Sequence, residues 1–399
     1  MKHFLRNVLV SFIVLAVLFF VLELIFRALY PEDALRLAMG DIDLRYHHSL
    51  KPNSELHLVS SVPGEYDLTA RINNFGFRGP DIELGKKPGQ RRIFVVGDSF
   101  TFGSGARDHE TIPALIQKTL DPTGESVQVI NVGTGSYSPV THYLRLRDQI
   151  PTFRPDLVLM LLDFSDLRDD WDREKNLLYD GSGKIIGSNP YYEYGKFQLW
   201  NYLRSRSVFC KYIHNKVVRT VQKIKKLGFR QYIHVRLTGG RSKAAIAKQE
   251  GDTIEFDGRL FMRGQAKADE IRNHFRRTGK FIMLSRDVAL QNGAQFILVM
   301  YPYGTYVGPD QWAEGRKFWG FESGKVDTDL FAFDLVRDFA ADNGIPFINL
   351  LNDFIAHKDE KLFFDNDGHF TPRGNEVAAG ALTRNAVFQE ALAKIKRTS

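Results

Sequence analysis

Two short stretches of this chain carry side chains that together could activate a hydroxyl. One is Gly97-Asp98-Ser99-Phe100-Thr101-Phe102-Gly103, and the other is Asp365-Asn366-Asp367-Gly368-His369. A serine hydroxyl is a poor nucleophile until an imidazole takes its proton. The imidazole in turn needs an acceptor on its second nitrogen. Ser99, His369 and Asp367 are the candidates for these three roles, with Asp365 as the acid in reserve. Serine acyl chemistry also needs N–H donors for the oxyanion, and loss of one such donor typically raises the barrier by about 3 kcal/mol. Besides the Ser99 N–H, the run Asn131-Val-Gly133-Thr-Gly135-Ser136 offers Gly135 and Ser136. The run Asp163-Phe-Ser165-Asp166 offers Ser165 and Asp166, although both could instead serve as caps that start a helix.

These residues need elements that bring them to one place. Apolar runs of strand length recur at Arg92–Val96, Val127–Val132, Leu157–Leu162, Ala294–Tyr301 and Pro346–Leu350. Helical patterns lie between them, at Thr111–Leu120, Thr141–Ile150, Thr278–Leu290 and Asp329–Ala341. The last two run into Gln291-Asn292-Gly293 and Asp342-Asn343-Gly344, where glycine ends a helix and a strand follows at once. Continuously apolar strands alternating with helices imply a parallel sheet covered on both faces. Functional residues of such sheets gather at the carboxyl ends of the strands, which is where every candidate above falls.

Gly-Asp-Ser-Phe-Thr-Phe-Gly after a first strand resembles the first conserved block of the SGNH (GDSL-type) hydrolase superfamily. Asp-Gly-His369-Phe-Thr-Pro-x-Gly-Asn near the C-terminus resembles the last block. The resemblance covers about 92–170 and 294–379. It implies a flavodoxin-like three-layer α/β/α domain with a five-stranded parallel sheet, and making or cleavage of ester-linked acyl groups. Similar membrane-tethered domains act on acetyl groups of envelope carbohydrates. The chain departs from the pattern at three points. Ser136 stands at the glycine of the second block, Ser165 at the asparagine of the third, and Asn366 where the family's acid often lies. Asp367 matches the acid spacing of some related acetylation proteins. The changed third block admits another class of reading, an accessory protein of a membrane assembly on a weakened SGNH fold; a hydrolase of lipids or small esters is the nearer alternative.

From Asn7 to Leu22 no residue is charged, and the apolar stretch at 5–27 approaches the roughly 20 residues that cross a bilayer. Lys2 and Arg6 precede it, which places the N-terminus in the cytoplasm and the rest of the chain outside. No small-x-small cleavage site follows, only Arg27-Ala-Leu-Tyr-Pro, so the segment reads as a retained anchor. Residues 31–90 then form a linker and N-terminal extension, and 91–399 the hydrolase-like domain with a mainly helical insertion at 171–280. Within the extension, Asn73-Asn74-Phe-Gly76-Phe77-Arg78-Gly79 reads as a hairpin beside the first strand, with Arg78 in a structural salt bridge.

The net charge of +7 is moderately basic. From Lys211 to Lys248 there are eleven Lys or Arg and no Asp or Glu, a candidate contact for an anionic membrane or polymer, while nucleic acid does not suit a domain outside the cytoplasm. Tyr191, Tyr192, Tyr194, Trp200 and Trp312 are candidate platforms for sugars. The single cysteine, Cys210, excludes an intrachain disulfide. His47-His48 has no partner acids at ligand spacing, and the chain lacks His-Glu-x-x-His, Walker and dinucleotide fingerprints, so no metal or cofactor is expected.

Overall fold

A computed structural model describes residues 2–29, 40–188 except 61 and 63, 203, 207–213, 216–217, and 259–395 except 319. The expected platforms Tyr191, Tyr192, Tyr194 and Trp200, and nearly all of the basic stretch 211–248, lie outside the described residues. The chain divides into two compact units, residues 1–41 with 194–256, and 42–193 with 257–399.

In the first unit, helix α1 (Lys2–Leu29) is long and apolar enough to cross a membrane by length and composition, with a mean hydropathy of 3.0. Its apolar side chains lie exposed along its length, Phe4 and Phe12 among them. Glu23, the one acid in this stretch, caps a short helical turn at 208–213. Its carboxylate accepts from Ser207 Oγ (2.6 Å) and from the backbone N–H groups of Val208 and Phe209 (3.1 Å each).

The second unit holds a five-stranded parallel sheet. An antiparallel hairpin of β1 (Ser54–Val59) and β2 (Asp67–Ile72) precedes it. The sheet strands are β3 (Arg91–Val96), β4 (Val127–Asn131), β5 (Leu157–Leu162), β6 (Gln295–Met300) and β7 (Phe347–Asn349). Their spatial order is β7-β6-β5-β3-β4, all parallel. This is the flavodoxin-like order, whose ligand crevice lies at the reversal of direction between β3 and β5. The register pairs Val96 with Met160 and Leu162 with Met300, so the strand ends line up along one edge.

The side chains of each strand alternate between two helical layers. Ile93, Val95, Leu157, Leu159, Ile297 and Val299 pack under α3 (Ile112–Leu120) and α8 (Pro372–Arg384). On the other face Phe94 meets Phe153 of α4 (Pro139–Phe153), with ring centroids 5.8 Å apart. Helix α4 packs against α6 (Ala268–Gln291), and α7 (Phe331–Asp342) completes that layer. The three-layer α/β/α architecture expected from the resemblance is thus present.

The strands begin and end within about two residues of their expected positions. The helices differ more. Thr111 and Thr371 cap α3 and α8, their side chains accepting from Ala114 N and Gly374 N. Helix α4 starts two residues early, because Pro139 at the first position and the bond from Ser138 N to Thr141 Oγ1 (2.8 Å) fix its entry. Helix α6 starts ten residues before Thr278. Ile271 and Phe275, both buried, extend its apolar stripe by two turns, among exposed charges that hide the period in sequence. Within the insertion, the end of the helix at 166–174 is followed by an antiparallel hairpin, Leu177–Tyr179 with Ile185–Ser188.

The segment 73–79 is a tight antiparallel hairpin, Ile72 bridging Arg78, and its Phe77 ring packs against Phe94 of β3 with centroids 6.3 Å apart. Arg78 bridges to Asn131 at the end of β4, extending the sheet edge there. The Arg78 guanidinium is buried. It donates to Asp108 Oδ1 (2.8 Å), Gly103 O (2.6 Å), Ala106 O (2.6 Å) and Phe102 O (3.1 Å), which satisfies the carbonyls behind the Ser99 turn. Arg78 is therefore structural, as its salt bridge to Asp108 implies.

Candidate active site

The turn after β3 is built for a close approach. A Cβ on Gly97 would stand 2.0 Å from Thr101 Oγ1, so only glycine fits there. Asp98 caps helix α2 (Ser99–Phe102) by accepting from Phe100 N at 2.9 Å, and Ser99 occupies the first helical position. Gly103 ends the helix at φ 91°, in the left-handed region.

The loop after β7 and the helical turn 351–356 returns to this point. Ser99 Oγ and His369 Nε2 stand 2.7 Å apart. On the far side of the imidazole, His369 Nδ1 is hydrogen-bonded to Asp367 Oδ1. Phe100 packs against the imidazole with ring centroids 4.7 Å apart, which restrains its orientation. The reserve acid is engaged elsewhere, since Asp365 Oδ2 accepts from Lys361 at 2.7 Å. The structure thus brings together the three residues named first from sequence.

The hairpin turn between β1 and β2 holds this loop from behind. Tyr66 donates its hydroxyl to Asp367 Oδ2 at 3.0 Å. Glu65 accepts from the backbone N–H groups of Asn366 (2.7 Å) and Asp367 (3.1 Å), and from Ser60 Oγ (2.9 Å). This support is not legible in the sequence. Nothing in a tyrosine and a glutamate of the extension signals a partner 301 residues away.

Charges set the protonation states. Desolvation lowers the basicity of His369, but the hydrogen bond and charge of Asp367, with the charges of Asp98 and Asp163, outweigh it and leave the pKa raised. Asp367 is disfavoured as an anion by burial, yet its bonds to His369 and Tyr66 hold its pKa below the ordinary value. Asp98 behaves in the opposite way. Burial, followed by the charge of Asp163, pushes it up to about 8. It lies 3.3 Å from Ser99 Oγ and accepts from Tyr301 OH at 3.1 Å. The imidazole stands nearer to Ser99 Oγ than the Asp98 carboxyl does.

The second-block loop packs directly on the nucleophile turn. A Cβ on Gly133 would stand 2.3 Å from Phe102 N, and Thr134 N donates to Gly97 O at 3.1 Å. Ser136 sits at φ 60°, a left-handed conformation uncommon for a non-glycine residue. Among the described residues, the backbone N–H groups of Ser99, Gly135 and Ser136 donate to no backbone carbonyl. A Cβ on Gly135 would meet nothing within 4 Å, so this side of the loop faces open space.

The third block is arranged differently from an oxyanion donor. Ser165 Oγ donates to Asp163 Oδ2 at 2.6 Å, and Asp166 Oδ2 accepts from Asp163 N at 2.8 Å. Asp166 starts helix α5 (Asp166–Glu174) and is buried. Burial, then the charges of Asp163, Asp170 and Asp98, drive its pKa well up. Trp312, a candidate sugar platform, is 4% exposed. It lies beneath Gly368, where a Cβ would stand 2.6 Å from its indole nitrogen, and it donates to Asn366 O at 3.3 Å. Its place is under the His369 loop. Among the described residues no group of three or more His, Cys, Asp or Glu is arranged to hold a metal ion.

No family model matches the chain, and no curated protein matches it. Solved structures similar to it include an acetyl xylan esterase, 16% identical, covering 73% of this chain and 98% of that one at a TM-score of 0.36. Others are a lipase/acylhydrolase from Enterococcus faecalis (13% identity, 78% and 100% covered, TM-score 0.37) and a psychrotrophic esterase from Pseudoalteromonas sp. (10%, 76% and 100%, TM-score 0.36). One further match is described as a lipolytic protein of the G-D-S-L family. At such identities and TM-scores the likenesses carry no argument about this chain's chemistry, which rests on its own side chains.

Proposed function

We propose that this chain is a serine ester hydrolase or acyltransferase of the SGNH type. The observation that carries the reading is the 2.7 Å contact of Ser99 Oγ with His369 Nε2, backed by Asp367 on Nδ1. In the proposed mechanism Ser99 Oγ attacks the acyl carbon while its proton passes to His369 Nε2. The oxyanion is met by the N–H groups of Ser99 and Ser136, with Gly135 beside them. His369 then protonates the leaving alkoxide. In the second half, His369 activates water or an acceptor hydroxyl, which displaces Ser99 from the acyl group. Asp367 keeps the imidazole in the tautomer that accepts from serine.

The acyl group in this proposal is acetyl and its carrier an envelope carbohydrate. Helix α1 anchors the chain with its N-terminus in the cytoplasm and the catalytic unit outside, as Lys2 and Arg6 before the apolar stretch support. The basic stretch 211–248 is proposed to contact an anionic membrane or polymer. The test is hydrolysis of p-nitrophenyl esters of two to eight carbons by the full chain in detergent, beside release of acetate from acetylated polysaccharide. Preference for the acetyl ester supports the reading.

A second reading is favoured by one observation, that the Ser165 hydroxyl is bonded to Asp163. On that reading the third donor is lost and the unit serves a membrane assembly without turnover. Folded protein that cleaves none of these esters would support it.

A further inference from the structure

A strand of the N-terminal extension, His47–Leu50, reaches the second-block loop through a chain of hydrogen bonds with a fixed direction. Arg173 Nη1 lies 3.2 Å from His47 Nε2, His47 Nδ1 lies 2.9 Å from His48 Nδ1, and His48 Nε2 lies 2.8 Å from Gly135 O. A guanidinium can only donate, so His47 Nε2 must accept. The proton of His47 is then on Nδ1, and it donates to His48 Nδ1. The proton of His48 is therefore on Nε2, and it donates to Gly135 O. A carbonyl can only accept, so the far end of the chain demands the same direction as the near end. Both tautomers are set by the two termini.

Gly135 O belongs to the Gly135–Ser136 peptide. In a planar trans peptide the C=O and the following N–H point in opposite directions. Fixing the carbonyl towards His48 therefore fixes the Ser136 N–H away from it. A donor on the carbonyl also polarises the same peptide and strengthens its N–H as a donor. Backbone strain sits at both ends of the contact, with His47 at φ 80° and Ser136 at φ 60°. Tyr137, which follows, ties the two segments again by donating to His48 O at 2.5 Å and packing on the His48 ring at 4.9 Å. Desolvation, with His47 next, pushes His48 down to about 3, so it remains the neutral donor across the working pH range.

We propose that His48 is a positioning residue for the reaction, and that the Arg173–His47–His48 chain aims and polarises the Gly135–Ser136 peptide so that the Ser136 N–H receives the oxyanion. This rests on the proposed acyl chemistry at Ser99 and assigns the extension a part in it. The inference accounts for a strained serine at a position where the family pattern has glycine. A side chain there is tolerated because the peptide is held from outside the loop.

The test compares the full chain in detergent with His48→Gln and His48→Leu, reading kcat and KM for p-nitrophenyl acetate together with Tm. Glutamine keeps an acceptor for His47 and a donor for Gly135 O, whereas leucine keeps neither. The expected result is a kcat for His48→Leu lower by about 10–100-fold, at or below the loss of one oxyanion donor, with KM within about twofold and the glutamine variant restored to within a few-fold. Equal kcat in all three proteins would overturn the inference while leaving the triad reading intact. So would equal losses in both variants that follow a fall in Tm. If His48→Leu does not fold, Arg173→Met at the other end of the chain of bonds provides the same comparison, with a several-fold loss in kcat at constant KM expected and an unchanged kcat overturning it. A wild-type protein that is folded but neither hydrolyses esters nor reacts with a fluorophosphonate would overturn the acyl chemistry and this inference together.

Discussion

Tyr66, on the hairpin turn before the sheet, donates its hydroxyl to the outer oxygen of Asp367 at 3.0 Å, while the other oxygen of that carboxylate holds His369. The acid of the candidate triad is thus gripped from the N-terminal extension. Removing that donor concentrates negative charge on Asp367 and strengthens its pull on the imidazole. Tyr66→Phe should lower kcat several-fold and move the His369 inflection of the pH–rate profile upwards. A profile identical to wild type would contradict the role.

The imidazole must be neutral to accept the Ser99 proton. Its pKa is raised above the ordinary value of 6.5, so activity should fall as pH drops through an inflection above 6.5. Asp367→Asn removes the cause of the raised value. The inflection should move down, and kcat should drop by about 10⁴-fold as the wrong tautomer becomes populated. Rates measured between pH 5 and 9 on both proteins decide this.

Burial and the charge of Asp163 push Asp98 up to about 8 in the folded chain, against 3.8 for an ordinary aspartate. The folded state therefore holds a proton that the unfolded state has released between about pH 4 and 8. The stabilisation that Asp98 gives is complete below the lower value and is lost as pH rises through the higher one. Asp98→Asn cannot titrate, so its Tm should fall less than that of wild type between pH 5 and 8. Parallel melting curves across that range would show that Asp98 is ionised throughout.

The Arg78 guanidinium satisfies three buried carbonyls behind the nucleophile turn and pairs with Asp108. Arg78→Met should destabilise the fold by about 3 kcal/mol, through unsatisfied carbonyls and an unpaired acid. Denaturant unfolding measures this. A loss of activity with unchanged stability would instead give Arg78 a direct part in the chemistry.

Much of this arrangement was legible in the sequence, for a physical reason. Strands covered on both faces are apolar without interruption, so β3 to β7 stand out, and glycine stops at Gly293 and Gly344 mark the helix-to-strand turns. Ser99 and His369 were readable because chemistry confines them to short motifs at strand ends. The support around them was not. Glu65, Tyr66 and His48 act through contacts across long stretches of chain, and their own neighbourhoods carry no pattern that points to a partner. The direction of Ser165 was equally hidden, because a serine that caps, one that donates to an oxyanion and one that donates to Asp163 read alike. The first turns of helix α6 are hidden in the sequence because charge-rich residues cover the exposed side of a stripe that Ile271 and Phe275 continue.

The central claim is that His369 activates Ser99 for attack on an acyl carbon. Reaction of the folded full chain in detergent with a fluorophosphonate, beside Ser99→Ala and His369→Ala, tests it most directly. The account predicts covalent labelling of wild type at Ser99, none in Ser99→Ala, and labelling slowed by orders of magnitude in His369→Ala. Wild-type protein that stays unlabelled, or a His369→Ala variant labelled as fast as wild type, would contradict it.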